Sequence, residues 1–212
     1  MDTNLVAQKV ADKLLEIQAI KLRPDQPFQW SSGWFSPIYC DNRVALSFPE
    51  IRTFIKESLA ARISSLFPEA EVISGVATAG IAQGALVADL LQLPFGYVRP
   101  EPKKHGMGNQ IEGPIPTGKN VVVIEDLIST GGSSLKAVNA LKDKGANVLG
   151  TVAIFSYDFE VAKQNFETAG VRLEVLSTYP ILIEAALRKQ YITENQVELL
   201  NQWRLSPETW GK

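Results

Sequence analysis

Val121-Val-Val-Ile-Glu-Asp-Leu-Ile-Ser-Thr-Gly-Gly-Ser-Ser134 decides the fold of this 212-residue chain, because it runs a β-branched strand into two adjacent carboxylates and then into a loop of hydroxyls and glycines. A continuous apolar run, here residues 121–124, is how a strand buried on both faces of a parallel sheet reads. Helical spacing resumes at Leu135, Val138 and Leu141, which makes the whole a strand, loop and helix unit. Residues 129–134 then lie at a helix start, where unpaired backbone N–H groups and the positive end of the dipole favour an anion. Gly131 and Gly132 let the backbone approach that anion without Cβ clashes. Glu125 and Asp126 cannot both face the core, since successive strand residues alternate sides, and a desolvated carboxylate without a partner is costly. Ribose hydroxyls and a divalent cation would satisfy them, so the unit suits a phosphorylated sugar. A Ser- or Thr-capped helix behind a strand, with two solvated acids, would explain each feature singly but not all of them in one order.

Outward from this string the chain alternates strands and helices. Leu5, Val6, Val10, Leu14, Leu15 and Ile17 recur at helical spacing and predict an amphipathic helix over 3–19, ended by the Pro24-Asp-Gln-Pro27 turn. Residues 28–39 are aromatic and extended. A helix is expected over 49–66, and residues 71–80 read as a strand followed by a small-residue loop. Next come a helix over 81–91 and a short strand over 94–98. Beyond the acid string the pattern predicts a helix over 133–144, a strand over 147–156, a helix over 158–169 and a strand over 171–176. Short helices over 181–188 and 193–203 close it. Strands separated by single helices need right-handed crossovers and give a parallel sheet with ligands at the carboxyl ends of its strands. The loops after Ile73, Val98, Ile124 and Phe155 should therefore converge.

With 45% hydrophobic and 21% charged residues, this length can bury the core of one α/β domain. The net charge of −2, without a long basic run, argues against nucleic-acid binding by phosphate neutralisation. Cys40 is the single cysteine, which excludes an internal disulfide and fits a reducing compartment. Met1-Asp-Thr-Asn lacks a basic lead-in and the segment after it is amphipathic, so neither a signal peptide nor a membrane span is expected, and the expected location is the cytoplasm.

Two glycine motifs are decoys. Gly113-Pro-Ile-Pro-Thr-Gly-Lys119 has seven positions of a nucleotide-binding loop, but Asn120 replaces its Ser or Thr and two prolines remove N–H donors. Gly106-Met-Gly108 opens a dinucleotide fingerprint whose third glycine position is Ile111. The surrounding segment, residues 99–119, is more informative: it holds five basic residues, four prolines and four glycines, with no periodicity. Such a loop reads as a mobile lid suited to a multiply charged leaving group.

The acid string resembles the signature of the type I phosphoribosyltransferases that binds 5-phosphoribosyl 1-diphosphate (PRPP), with Glu125 where an Asp is commoner. The resemblance implies that fold: a mostly parallel central sheet flanked by helices, with a small N-terminal hood. It divides the chain into a hood and base-site segment over 1–45, a core over 46–180 and C-terminal helices over 181–212. It places the 5′-phosphate on Ser129, Thr130, Gly131, Gly132 and Ser133, with Leu127 and Ile128 leading in, and the ribose hydroxyls on Glu125 and Asp126. The resemblance narrows to the orotate phosphoribosyltransferase family at Arg99, Lys103, His105 and Gly106, which match that family's Arg-x-x-x-Lys-x-His-Gly lid, and at Ser32-Gly-Trp-Phe-Ser-Pro37. Pro100 stands where many members carry a second basic residue, and Lys104 could supply the missing charge.

This closer resemblance implies transfer of the phosphoribosyl group from PRPP to orotate, giving orotidine 5′-monophosphate and pyrophosphate in de novo pyrimidine synthesis. Arg99, Lys103, Lys104 and His105 would hold the pyrophosphate, with Lys103, His105, Arg99 and Asp126 as the catalytic set. Mg²⁺ would enter mainly through PRPP, with Asp126 as the protein's own candidate ligand. Ser129, Lys21, Phe35 and Tyr157 are the candidates for orotate. Trp30, Trp34, Phe35 and Tyr39 offer faces for stacking a flat base. Residues 75–80 occupy the place of the pyrophosphate turn, with Ala79 where many members have lysine. A homodimer with shared active sites is implied, because lids in this family reach the neighbouring subunit.

Three rivals remain on sequence grounds. A transferase for another base would share the PRPP string, but not the lid and the hood motif together. A PRPP-sensing regulator should carry a basic nucleic-acid surface or an added DNA-binding domain, and neither is evident. Half of a bifunctional UMP synthase would need a fused decarboxylase, for which 212 residues leave no room.

Overall fold

The computed structural model describes residues 2–30, 33–102, 109–113 and 116–210. In chain order it contains α1 (Thr3–Glu16), β1 (Ile20–Leu22), β2 (Phe28–Gln29), β3 (Phe35–Ser36), β4 (Ile38–Cys40), a 3-10 turn (Asn42–Ser47), α2 (Pro49–Leu66), β5 (Val72–Val76), α3 (Ala79–Leu91), β6 (Phe95–Val98) and β7 (Ile111–Glu112). It continues with β8 (Asn120–Ile128), α4 (Gly132–Lys142), β9 (Asn147–Ser156), α5 (Glu160–Thr168), β10 (Arg172–Thr178), α6 (Tyr179–Arg188) and α7 (Glu194–Leu205). Six strands form the central sheet in the order β10-β9-β8-β5-β6-β7, all parallel except β7.

The apolar run 121–124 is buried on both sides. Val121 and Val123 join α4 and α5 in one core, while Val122 and Ile124 join residues of α1, α2, α3, α6 and α7 in the other. All four are fully buried, each worth about 1.5–3 kcal/mol in area removed from water. The alternation is the period of two that a strand imposes, here with apolar partners on both faces. Among the described residues, no helix is long and apolar enough to cross a membrane.

Three elements differ from the sequence reading. β8 runs to Ile128, four residues past the expected end at Ile124, because β9 stays beside it through Glu125↔Ala153, Leu127↔Phe155 and Ile128↔Ser156. The aromatic segment becomes a hood of two antiparallel pairs, β1 with β4 and β2 with β3. The aperiodic 99–119 segment contains β7, which pairs back on β6 through Tyr97↔Glu112 and Val98↔Ile111. Its base is stapled twice: the Arg99 N–H donates to the Gln110 carbonyl at 2.9 Å, and Gln110 Nε2 donates to the Arg99 carbonyl at 2.9 Å. The parallel register sets Val76 beside Val98, Gly75 beside Ile124 and Ile128 beside Ser156. The carboxyl ends of β5, β6, β8 and β9, and so the loops expected to converge, leave the sheet along one edge.

Candidate active site

Pairing between β5 and β8 ends at Gly75↔Ile124, so the next two residues of β8 lie where the sheet opens. Glu125 turns inward and is only 5% exposed. Both its carboxylate oxygens are held: the Asp126 N–H donates to Oε1 at 3.1 Å and the Ser134 hydroxyl donates to Oε2 at 3.0 Å. Burial first, and the neighbouring Asp126 charge second, push the Glu125 carboxyl up to about 8. Asp126, half-buried on the other side of the strand, is also raised by burial, against the opposing pull of its hydrogen bonds and of Arg43. Two carboxylates so placed keep less than their full charge near neutral pH, and cationic or hydroxyl partners would favour the ionised forms. The Asp126 carbonyl is gripped from the hood, where the buried Asn42 donates Nδ2–H to it at 2.7 Å while its Oδ1 accepts the Cys40 thiol at 3.4 Å.

The loop after β8 is shaped by its glycines and by α5. Gly131 adopts a left-handed φ of 80°, and a Cβ there would come within 2.6 Å of the Phe166 ring. At Gly132 a Cβ would meet nothing closer than Thr130 Oγ1 at 3.8 Å, so the space in front of the helix start is open. No side chain caps α4 and its first turn holds no acid, which leaves its first N–H groups for an anion. Asn165 Nδ2 donates to the Thr130 carbonyl at 2.9 Å, so α5 props the loop from behind. Ile128 is fully buried and Leu127 packs on the core, and the Ile128 carbonyl accepts the Tyr157 N–H at 3.0 Å, so both residues anchor the start of the loop.

A second helix start lies against the same strand. A Cβ at Gly75 would fall 2.6 Å from the Gly80 carbonyl oxygen, and one at Gly80 would fall 2.5 Å from that of Ile124. Glycine at both positions brings the first turn of α3 down onto β8, beside Glu125. The peptide bond between Ala77 and Thr78, just before α3, is cis. α3 also lacks a side-chain cap, so two uncapped helix starts flank one pair of acids.

The remaining candidates divide. Arg99 stands at the end of β6, with its guanidinium 3.5 Å from the Glu112 carboxylate. Lys103, Lys104, His105 and Gly106 lie outside the described residues, as does Ser32. Lys21 is exposed on β1 opposite Tyr39, and Phe35 and Tyr39 keep exposed rings. Two aromatic candidates pack inward. Trp30, expected as a stacking face, packs 5.3 Å from Tyr157 and 5.7 Å from Trp203. Tyr157, expected against orotate, is 2% exposed, with Trp30 at 5.3 Å and Phe159 at 5.4 Å from its ring. Aromatic surface of this size gains more from mutual burial than from a solvated cleft, so these rings build the floor under the hood. The fully buried Trp203 of α7 completes that floor and donates Nε1–H to the Phe35 carbonyl at 3.2 Å.

Ser134, Asn42, Asn165 and Trp203 escaped the sequence reading. Ser134 closes the acid string itself, where a hydroxyl in the first turn of the helix was its one signal. The other three act across long stretches of chain and left no local mark.

A strand carrying two acids between two glycine-shaped helix starts defines a phosphoribosyltransferase, and residues 48–167 match the phosphoribosyl transferase domain family. The chain is 58% identical over 202 residues to the orotate phosphoribosyltransferase of Porphyromonas gingivalis, covering 95% of this chain and 96% of that one. The crystal structure of orotate phosphoribosyltransferase from Aeropyrum pernix is 30% identical, with a TM-score of 0.76 over 87% of this chain and 99% of that one. The fold is also that of Mycobacterium tuberculosis orotate phosphoribosyltransferase in complex with PRPP, 22% identical with a TM-score of 0.65 over 84% and 98% of the two chains. The chain belongs to the orotate phosphoribosyltransferase family.

Proposed function

We propose that the protein transfers the 5-phosphoribosyl group of PRPP to orotate, forming orotidine 5′-monophosphate and pyrophosphate, a step of de novo UMP synthesis. The observation that carries this reading is the pair Glu125 and Asp126 set between the uncapped starts of α3 and α4. PRPP has that layout: a diol between a phosphate at one end and a pyrophosphate at the other. The 5′-phosphate would sit on the N–H groups of residues 129–133, the ribose hydroxyls on Glu125 and Asp126, and the pyrophosphate against the 75–80 loop.

In the reaction N1 of orotate bonds to ribose C1 as the C1–O bond to pyrophosphate breaks, and the N1 proton is lost. Charge separates, with positive charge growing on the ribose beside Asp126 and negative charge on the departing group. Arg99, Lys103, Lys104 and His105 would neutralise the latter, and Lys103 or His105 can give it a proton. Arg99 would exchange its Glu112 partner for the pyrophosphate as the lid closes, excluding the water that hydrolyses the activated sugar. Lys21 and Phe35, from the exposed side of the hood, and Ser129 are left to bind orotate, with charge for its carboxylate and a ring face for its plane.

Mg²⁺ would be carried mainly by PRPP oxygens, with the half-buried carboxylate of Asp126 as the protein's own candidate ligand. Bound Mg²⁺ supplies charge neutralisation to the diphosphate. A homodimer whose lids reach across to the partner's site, and a cytoplasmic location, complete the proposal.

The decisive experiment follows the ultraviolet absorbance of orotate with protein, PRPP and Mg²⁺, in wild type and Lys103→Ala. Orotate should disappear with wild type and far more slowly with the variant. PRPP binding without any loss of orotate would overturn the assignment.

A further inference from the structure

We infer that Ser134 is a positioning residue: its hydroxyl fixes the ribose-binding carboxylate of Glu125, and through it the affinity for the phosphoribosyl donor. The inference rests on the reading of Glu125 as a ribose ligand. Ser134 is fully buried, so it cannot itself touch a substrate in the cleft. It sits in the first turn of α4, behind the loop offered to the 5′-phosphate, and donates to Oε2 of Glu125 at 3.0 Å.

A glutamate carries three side-chain torsions, one more than the aspartate it replaces, and its carboxylate would swing unless tied. Here each oxygen has its own anchor, the Asp126 N–H on Oε1 and the Ser134 hydroxyl on Oε2, which together hold the plane of the group. Each carboxylate oxygen still has lone-pair capacity for a ribose hydroxyl. The bond also ties α4 to β8 by side chains, and so sets the spacing between the phosphate-binding helix start and the sugar-binding acids. An acceptor held in place before the ligand arrives binds it more tightly, because less freedom is lost on binding.

Steady-state kinetics with PRPP and orotate varied separately, in wild type, Ser134→Ala, Glu125→Gln, Glu125→Ala and the Ser134→Ala/Glu125→Ala double variant, test the inference, with thermal unfolding as the check on folding. Ser134→Ala should raise KM for PRPP by about 10-fold, the weight of one hydrogen bond, with kcat and the KM for orotate held within about twofold. In the Glu125→Ala background, which leaves Ser134 no carboxylate to hold, the same change should add nothing. If the two substitutions instead act independently, or if Glu125→Gln weakens PRPP while Ser134→Ala does not, the positioning role is wrong. If Glu125→Gln leaves KM for PRPP unchanged, the ribose assignment fails, and the inference with it. Should Ser134→Ala not fold, Ser134→Cys, close in size and a weaker donor, takes its place and should give a smaller rise in the same constant.

Discussion

Replacing Glu125 by Gln removes a titration while keeping the volume and both hydrogen bonds of the buried side chain. The amide oxygen can accept the Asp126 N–H, and the amide nitrogen can donate to the Ser134 hydroxyl. In wild type, burial and the Asp126 charge hold this carboxyl at about 8, against an ordinary value of 4.5. Between those values the unfolded chain has lost its proton and the folded chain has kept it. The folded state therefore binds more protons, and stability falls as pH rises through the window, levelling off above about pH 8. At about 1.36 kcal/mol per unit the full loss approaches about 5 kcal/mol. Asp126 shares the burden of the pair, so about 2–3 kcal/mol is the part that Gln should restore. For a chain of this size that is a rise of roughly 4–12 °C in the unfolding midpoint. The assay is thermal unfolding of the unliganded protein with chelator present, at pH 5 and pH 8.5. Variant and wild type should nearly coincide at pH 5 and separate at pH 8.5, while PRPP binds the variant more weakly. An equal gain at both pH values, or none at pH 8.5, would refute the claim that burial keeps the proton on Glu125.

Gly131→Ala should abolish saturation by PRPP and lower the unfolding midpoint, because a left-handed residue costs about 1–2 kcal/mol and the new methyl meets the Phe166 ring; initial rates and melting read both effects. Trp203→Ala should cost about 3–5 kcal/mol in urea unfolding and raise KM for orotate more than for PRPP, since it empties the floor beneath the hood. Asn42→Ala leaves the Asp126 carbonyl without its hood donor, a loss of about 1–3 kcal/mol, and an unchanged midpoint and KM for PRPP would argue against that bond's importance.

Much of the site could be read in advance because its chemistry is local in the chain. An apolar run, two acids and a glycine loop within fourteen residues already specify a strand edge, a pair of carboxylates and a helix start. Gly131 behaves as its residue type suggests, taking the left-handed φ that other residues avoid. The inward packing of Tyr157 and Trp30 was not legible, because a sequence cannot show that Trp203, near the far end of the chain, lies 5.7 Å from both.

By itself the sequence determined the order of the helices and of the parallel strands of the core, the parallel sheet that this order requires, and the stretch where a phosphorylated sugar could bind. Those properties follow from residue type and spacing along the backbone, and neighbours in sequence enforce them. Tertiary structure alone decided how far β8 runs, since β9 supplies its ladder to Ile128. It also decided that Glu125 would be buried against Ser134, that Asn42 would grip Asp126 across 84 positions, and that Trp203 would reach the hood across 168. Burial and long-range hydrogen bonds belong to pairs of residues that only the packed fold brings together, and those pairs set the charge and rigidity of the site.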